Sequence, residues 1–348
     1  MNKTTKRTLA TFKDEFAPDA DVVFLRRRVA ELEAKQLKER TATGEAMEII
    51  HALKDAITEA SPVEMVYRPQ SRSESPCTHV LHLSDWHYGA MVDVDEVDGW
   101  GEYSPEIAER RVASLTNSII NKTIAQRHGY NVPHLHILGT ADWVSGDIHQ
   151  ELQVTNAFPA PVQAVRCGYL LGGMLAAFAP HFETVTADLI TLDNHGRLTV
   201  KPQSAQGGLN NWGYIVGEIA AQYVKQLSNV KVNVHAKPSA LVSIGPERYL
   251  CFHGHQVKAW AGIPYYGLDR RAAMEAVKRM GFPDKEFTRM VSGHLHTSFN
   301  GDLWRLGGSL SGTDAFDHNC GRNSKPNQTS WFVHPRHSEF DWTRWWVS

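Results

Sequence analysis

Cysteine is scarce in this chain: four in 348 residues, Cys77, Cys167, Cys251 and Cys320, widely scattered and with no CxxC pair. That argues against a disulfide-built scaffold and leaves four reduced thiols as the expectation. An excess of charge of one sign is also missing, the formal net charge being -2. Nucleic-acid-binding domains usually carry a basic excess, so the bulk charge does not advertise one. Bound divalent cations would still add positive charge wherever a phosphate sits. No apolar segment follows Met1, and the most apolar stretch, Tyr169 to Ala179, is shorter than the roughly 20 residues that cross a bilayer. The expectation is a cytoplasmic protein that makes no membrane contact.

What is present is an ordinary globular composition, 42% hydrophobic and 21% charged, in a chain long enough to bury a large core. Residues 1–20 are polar and read as a frayed end. From Asp21 to Ala60 apolar residues (Val22, Leu25, Val29, Leu32, Ile50, Leu53, Ile57) recur at steps of three and four, and the only glycine is Gly44. This reads as one amphipathic helix, or a helical hairpin broken near Thr41–Gly44, that packs on its own chain or pairs with a second copy. Arg26, Arg27 and Arg28 read as a solvated face of it. Pro69 to Pro76 is a polar linker, dividing a helical extension over 1–70 from a catalytic domain over 76–348. Beyond it strand-like runs (78–83, 134–138, 184–192, 230–235, 248–252, 287–292, around 303–306) alternate with helical ones (104–128, 160–179, 212–226, 269–280). That alternation argues for an α/β layered fold, in which functional residues gather past the carboxyl ends of strands.

The residues that follow those strand-like runs carry chemistry. Ser84-Asp85-Trp86-His87 follows the first, and Asp85 and His87, two apart, can point the same way and grip one cation. Then come Asp142, Asn194-His195, His253-Gly254-His255 and Gly293-His294-Leu295-His296. Singly, each has an ordinary structural reading. As an ordered series of carboxylates, an amide and imidazoles, they read as the ligands of two divalent cations acting on a phosphate ester.

The series resembles the calcineurin-like metallophosphoesterase superfamily over about 76–310, whose pattern is Asp-x-His, Gly-Asp, Gly-Asn-His, a lone His and Gly-His-x-His. The resemblance implies an α/β fold of the metallophosphoesterase type: a double β-sheet sandwich flanked by helices, here with an N-terminal helical extension. It implies that Asp85, His87, Asp142 and His296 hold a first metal, and that Asp142 bridges to a second completed by Asn194, His253 and His294. His195 becomes the general acid or phosphate-contacting imidazole, and Arg197 a phosphate clamp. The activity implied is hydrolysis of phosphodiesters, of the nucleotide or nucleic-acid kind, by a metal-bridging hydroxide. The cofactor is two divalent ions, with Mn²⁺ the first choice and Fe or Zn²⁺ the alternatives.

Two positions depart from the pattern. The second motif reads Gly139-Thr140-Ala141-Asp142, so Asp142 is the bridging choice and Asp147, in Gly146-Asp147, the alternative. Asp193 stands where the family has Gly, either as an extra carboxylate beside the metals or as a solvated side chain. His253 is preferred over His255 because it is nearer its strand, and His149 follows the second motif closely enough to reach the cleft rim.

For the substrate, the acidic insert Val92–Gly101 reads as a solvated loop, and the aromatic tail Phe340, Trp342, Trp345, Trp346 as the seal of a sheet edge rather than a base-stacking surface. The stretch Trp143 to His149 is similar to phage-encoded members of the superfamily, which implies action on nucleotides or nucleic acid in a host cytoplasm. Phosphomonoester hydrolysis, and a metal-binding scaffold without catalysis, are the alternative readings.

Overall fold

The computed structural model describes residues 20–59, 73–203, 205–258 and 265–347. The chain divides into two compact units, Met1–Pro69 and Gln70–Ser348. Among its described residues the first contains one helix, α1 (Ala20–Glu59). It runs without a break through Gly44, correcting the hairpin alternative; one glycine costs a helix only about 1 kcal/mol, too little to end it here. Among its described residues Phe24, Leu32, Leu37 and Met47 are exposed. The expectation of a frayed end falls on residues 1–19, which lie outside the described residues.

In chain order the second unit contains β1 (Ser73–Leu83), α2 (Pro105–Gln126), β2 (Tyr130–Gly139), α3 (Gln150–Thr155), α4 (Ala160–Phe178), β3 (Thr184–Ile190), α5 (Trp212–Tyr223) and β4 (Val230–His235). It continues with β5 (Ala240–Ile244), β6 (Glu247–Cys251), α6 (Tyr265–Arg279), β7 (Arg289–Ser292), β8 (Phe299–Asn300), β9 (Trp304–Leu306), α7 (Ala315–Asn319), β10 (Asn327–His334) and β11 (Ser338–Trp346). Two sheets result, ordered β11-β10-β1-β2-β3-β4 and β5-β6-β7-β9-β8. The fold is mixed α/β, two sheets flanked by helices.

Alternation along each strand decides which face meets what. Val80, Leu138, Ile190, Trp331 and Val333 of the first sheet pack on Val242, Tyr249, Cys251 and Val291 of the second. The opposite face of the first sheet (Leu81, Leu83, Leu135, Ile137, Val185, Leu189) packs with Leu115 and Ile119 of α2, Leu171 and Leu175 of α4, and Val216 of α5. The outer face of the second sheet (Leu250, Met290, Trp304, Leu306) packs with Leu268 and Ala272 of α6.

Three points differ from the sequence reading. β1 begins at Ser73, inside the supposed linker, because Ser73 and Pro76 pair with Tyr130 and Asn131; residues 69–72 lie outside the described residues. The apolar helical segment runs from Ala160 to His181 and by length and composition alone is long enough to cross a membrane, but half of it is buried inside the protein. The acidic insert is partly folded rather than simply solvated: Asp95–Val97 forms a 3₁₀ turn, and Val92 and Val97 are buried. The aromatic tail lies on β11, the edge strand of the larger sheet, where Trp345 packs against the core.

Candidate metal centre

Five strand ends converge. Asp85 and His87 follow β1, Asp142 follows β2, Asn194 and His195 follow β3, His253 follows β6, and His294 and His296 follow β7. The loops after β1 and β2 stay paired beyond their strands. Thr140 N–H donates to Leu83 O at 2.9 Å, Asp85 N–H to Ala141 O at 3.1 Å and His87 N–H to Asp142 O at 2.9 Å. Six of the ten non-glycine residues with positive φ among those described are here: Asp85 (51°), His87 (44°), Ala141 (72°), Asp142 (49°), His294 (71°) and His296 (55°). Such conformations are uncommon for side-chain-bearing residues and persist where the surroundings over-determine them.

The side chains form groups whose donor atoms lie within 4.8 Å of one another: Asp85, His87 and His296; Asp142, His253 and His294; and His87, Asp142 and His195. Asp142 thus joins the first set to the second. His87 Nε2 lies 3.0 Å from His296 Nε2 and 4.0 Å from Asp85 Oδ1. His253 Nε2 lies 3.0 Å from both Asn194 Oδ1 and Asp142 Oδ2, while His87 Nε2 is 3.9 Å from Asp142 Oδ2. Asp142 itself is 1% exposed, and its buried Oδ2 faces the ring nitrogens of His253 and His87.

The second ring nitrogens explain these orientations. His253 Nδ1 donates to Thr140 O at 2.9 Å, and His195 Nδ1 to Ser145 O at 2.9 Å. His296 Nδ1 is bonded to Asp317 Oδ2. Each Nδ1 carries its hydrogen outward, so Nε2 is turned inward beside carboxylate and amide oxygens, the arrangement of metal-ligating imidazoles with outer partners. Lone pairs from three residue types converging in a buried space require a positive centre, either a proton or a cation. Asp, Asn and His donors fit a divalent first-row cation.

The electrostatics express the same demand. Burial pushes His253 down, but Asp142, Asp85 and Asp193 outweigh it and lift the imidazole to about 9. Burial likewise opposes protonation of His296, and Asp317 with Asp85 overcomes it, to about 10. Burial works to raise Asp142, yet His253, His195 and His87 hold its carboxyl well below the usual carboxylate range. Asp85 moves the other way: burial lifts it, with His296 and His253 opposing and Asp142 adding to the rise.

Asp193 is neither solvated nor turned to the ligand groups. It is 2% exposed. Its Oδ2 accepts from Asp142 N–H at 2.9 Å; its Oδ1 accepts from Gly196 N–H at 2.7 Å and Asn211 Nδ2 at 2.8 Å. It braces the backbone of two ligand loops, which corrects the solvated reading; as an extra carboxylate beside the ligand groups it acts on them through backbone hydrogen bonds and its charge. Burial, then the Asp142 charge, raises its carboxyl to about 6.

Asp147 belongs to none of these groups. Arg197 is also displaced from its expected role. Its Nε donates to Thr199 O at 3.1 Å and a terminal nitrogen to Val200 O at 3.3 Å. It lines a smaller cavity of about 310 Å³ together with His255, not the cleft that contains the ligand groups. The loop that follows Arg197 offers carbonyls within reach, and a forked donor takes them. His149 does reach the cleft, its ring centroid 6.0 Å from that of His195.

Sequence reasoning missed Asp317, which orients His296, and two glycines that leave room for the site. A Cβ on Gly293 would lie 2.3 Å from Asp85 Oδ2. One on Gly146, where φ is +70°, would lie 2.0 Å from His195 O. The Gly dipeptides are visible in the sequence; the close approaches that require them are not. The cleft measures about 580 Å³ and is lined by His87, Asp142, Asn194, His195, His294 and His296 on one side.

No family model and no curated protein matches the chain. Among solved structures, a predicted phosphoesterase from Streptococcus pneumoniae is 12% identical over 51% of this chain and 90% of its own, with a TM-score of 0.25. Vps29 from Entamoeba histolytica in complex with Zn²⁺ is 15% identical over 48% of this chain and 83% of its own, with a TM-score of 0.24. Vps29 from Cryptosporidium parvum is 13% identical over 77% and 97%, with a TM-score of 0.29. Likenesses this distant carry no argument about the site, which stands on the chain's own geometry.

Proposed function

We propose that this chain is a phosphodiesterase dependent on two divalent cations, Mn²⁺ being the first choice. The observation that carries the reading is Asp142: a buried carboxylate grouped with His253 and His294 on one side and, on the other, with His87, itself a member of the Asp85–His87–His296 set. Asp85, His87 and His296 would hold one cation, and Asn194, His253 and His294 the other, with Asp142 common to both. When bound, the pair of cations supplies Lewis acidity, activating water and neutralising charge on the phosphoryl oxygens.

The chain's own groups do the rest. Thr140 O and Asp317 fix the rings of His253 and His296, so their inward nitrogens are aimed before substrate arrives. His195 is tied by Nδ1 to Ser145 O and by its backbone N–H to Asp142 Oδ1 at 3.2 Å. Its Nε2 remains to face the leaving ester oxygen; with Nδ1–H held by Ser145 O, it would deliver a proton there only as the imidazolium, having taken that proton from solvent. His149 lies beside His195 and lines the same cleft.

Turnover of bis-p-nitrophenyl phosphate with Mn²⁺, Co²⁺, Ni²⁺ or Zn²⁺ tests this, with p-nitrophenyl phosphate as the monoester control. The expected result is cation-dependent hydrolysis of the diester, faster than that of the monoester. Turnover of neither ester with any of the four cations overturns the enzyme reading; preference for the monoester changes its class.

A further inference from the structure

Across from the other ligand groups the cleft has a second wall, built from the end of the first loop, α3 and α7, the last touching His296 through Asp317. Its apolar part includes Met91 and Phe316, which are 47% and 67% exposed although both face the cleft. An exposed aromatic beside a catalytic-type cluster offers a ring face to whatever the phosphorus carries. The polar part of the wall is acidic: Glu96, Glu151 and Asp314 line it.

Cations are scarce there. Among the described lining residues, histidines apart, Arg322 is the one cation. It is occupied by Asp317, 3.2 Å from Oδ1, and lies 5.4 Å from the Phe316 ring centroid. A second phosphate entering this half would meet three carboxylates against a single arginine already paired with Asp317. A neutral group with hydroxyl or amino donors would find acceptors and a ring face.

We infer that the cleft selects a phosphodiester with a single phosphate and one uncharged, ring-bearing substituent of the nucleoside class, packed on Phe316 and Met91, and that it rejects polynucleotides. The inference rests on the phosphodiesterase reading and narrows its substrate. Base–aromatic stacking contributes on the order of 1–3 kcal/mol per base, and the carboxylates accept from the sugar or base.

The test compares three substrates with Mn²⁺: thymidine 5′-(p-nitrophenyl phosphate), methyl p-nitrophenyl phosphate, and a single-stranded dodecamer. The first two share a leaving group and differ only in the second substituent. The expected kcat/KM for the thymidine ester exceeds that for the methyl ester by about tenfold, and Phe316→Ala reduces that ratio about fivefold or more, in the range set by stacking. Dodecamer cleavage is expected to be negligible and to rise in Glu96→Lys combined with Glu151→Lys. These side chains are exposed, so thermal melting should show the variants folded. Equal rates on the two small esters, an unchanged ratio in Phe316→Ala, or efficient dodecamer cleavage by the unmodified protein overturns the inference while leaving the phosphodiesterase reading intact. No turnover of any of the three overturns both.

Discussion

The carboxylate of Asp193 accepts a hydrogen bond from the backbone N–H of Asp142 at 2.9 Å. Asp193 thus fixes the backbone of the carboxylate that the proposed reading puts between the two cations. All three donors around Asp193 need an acceptor, which an amide cannot supply on both sides. Asp193→Asn is expected to lower stability by about 1–3 kcal/mol, the cost of a buried donor left unpaired. It should also weaken Mn²⁺ affinity about 10–100-fold, as loss of an outer partner does. Urea denaturation and calorimetric titration measure the two effects; unchanged affinity would remove Asp193 from the supporting shell.

Asp317 orients His296 from the far side of the ring. Asp317→Ala is expected to cost about 10–100-fold in cation affinity or turnover, with a smaller effect on the affinity of the His253–His294 set. Titration should resolve a weak and a strong site in the variant. Equal weakening of both sites would contradict this assignment.

Gly293→Ala places a methyl group 2.3 Å from Asp85 Oδ2, well inside contact distance. Asp85 also receives the His294 N–H at 2.9 Å, so the two loops would be pushed apart. Loss of one bound cation per chain by elemental analysis is the expected result. Two cations retained would show that the loop gives way without cost.

Two buried histidines of β1, His79 and His82, make stability depend on pH. Burial, then Lys122, pushes the His79 imidazole down to about 3, and burial alone does the same to His82. In the unfolded chain both would take up a proton near pH 6.5. Above that pH neither state is charged and nothing is lost. As pH falls from about 6.5 towards 3, the unfolded state binds the protons and the folded state does not. Stability therefore drops by about 1.4 kcal/mol per pH unit for each histidine. His79→Phe should lower stability at pH 7, because the bonds to Thr123 and Ser330 are lost, yet make the acid slope shallower by that amount. Denaturation curves at pH 7, 5 and 4 give both numbers, and an unchanged slope would refute the neutral assignment.

The strand ends and the residues following them were legible because their chemistry is local: an apolar run, then a carboxylate or imidazole. Their outer partners were not. Asp193 serves Asp142 from 51 residues away and Asp317 serves His296 from 21, separations that no spacing rule anticipates. β10 escaped notice because Asn327, Gln328, Thr329 and Ser330 are polar yet fully buried. Gln328 is held there by bonds to Ser84 on the first ligand loop and to Gly308. Arg197 was misplaced for the converse reason: a guanidinium beside a ligand motif suggests a phosphate clamp, but the carbonyls of its own loop were closer.

The most direct test is anomalous diffraction at the manganese edge from crystals grown with Mn²⁺. The account predicts two peaks about 3.5–4 Å apart, with the Asp142 carboxylate between them, Asp85, His87 and His296 on one, and Asn194, His253 and His294 on the other. A single peak, or two peaks without Asp142 between them, would contradict it.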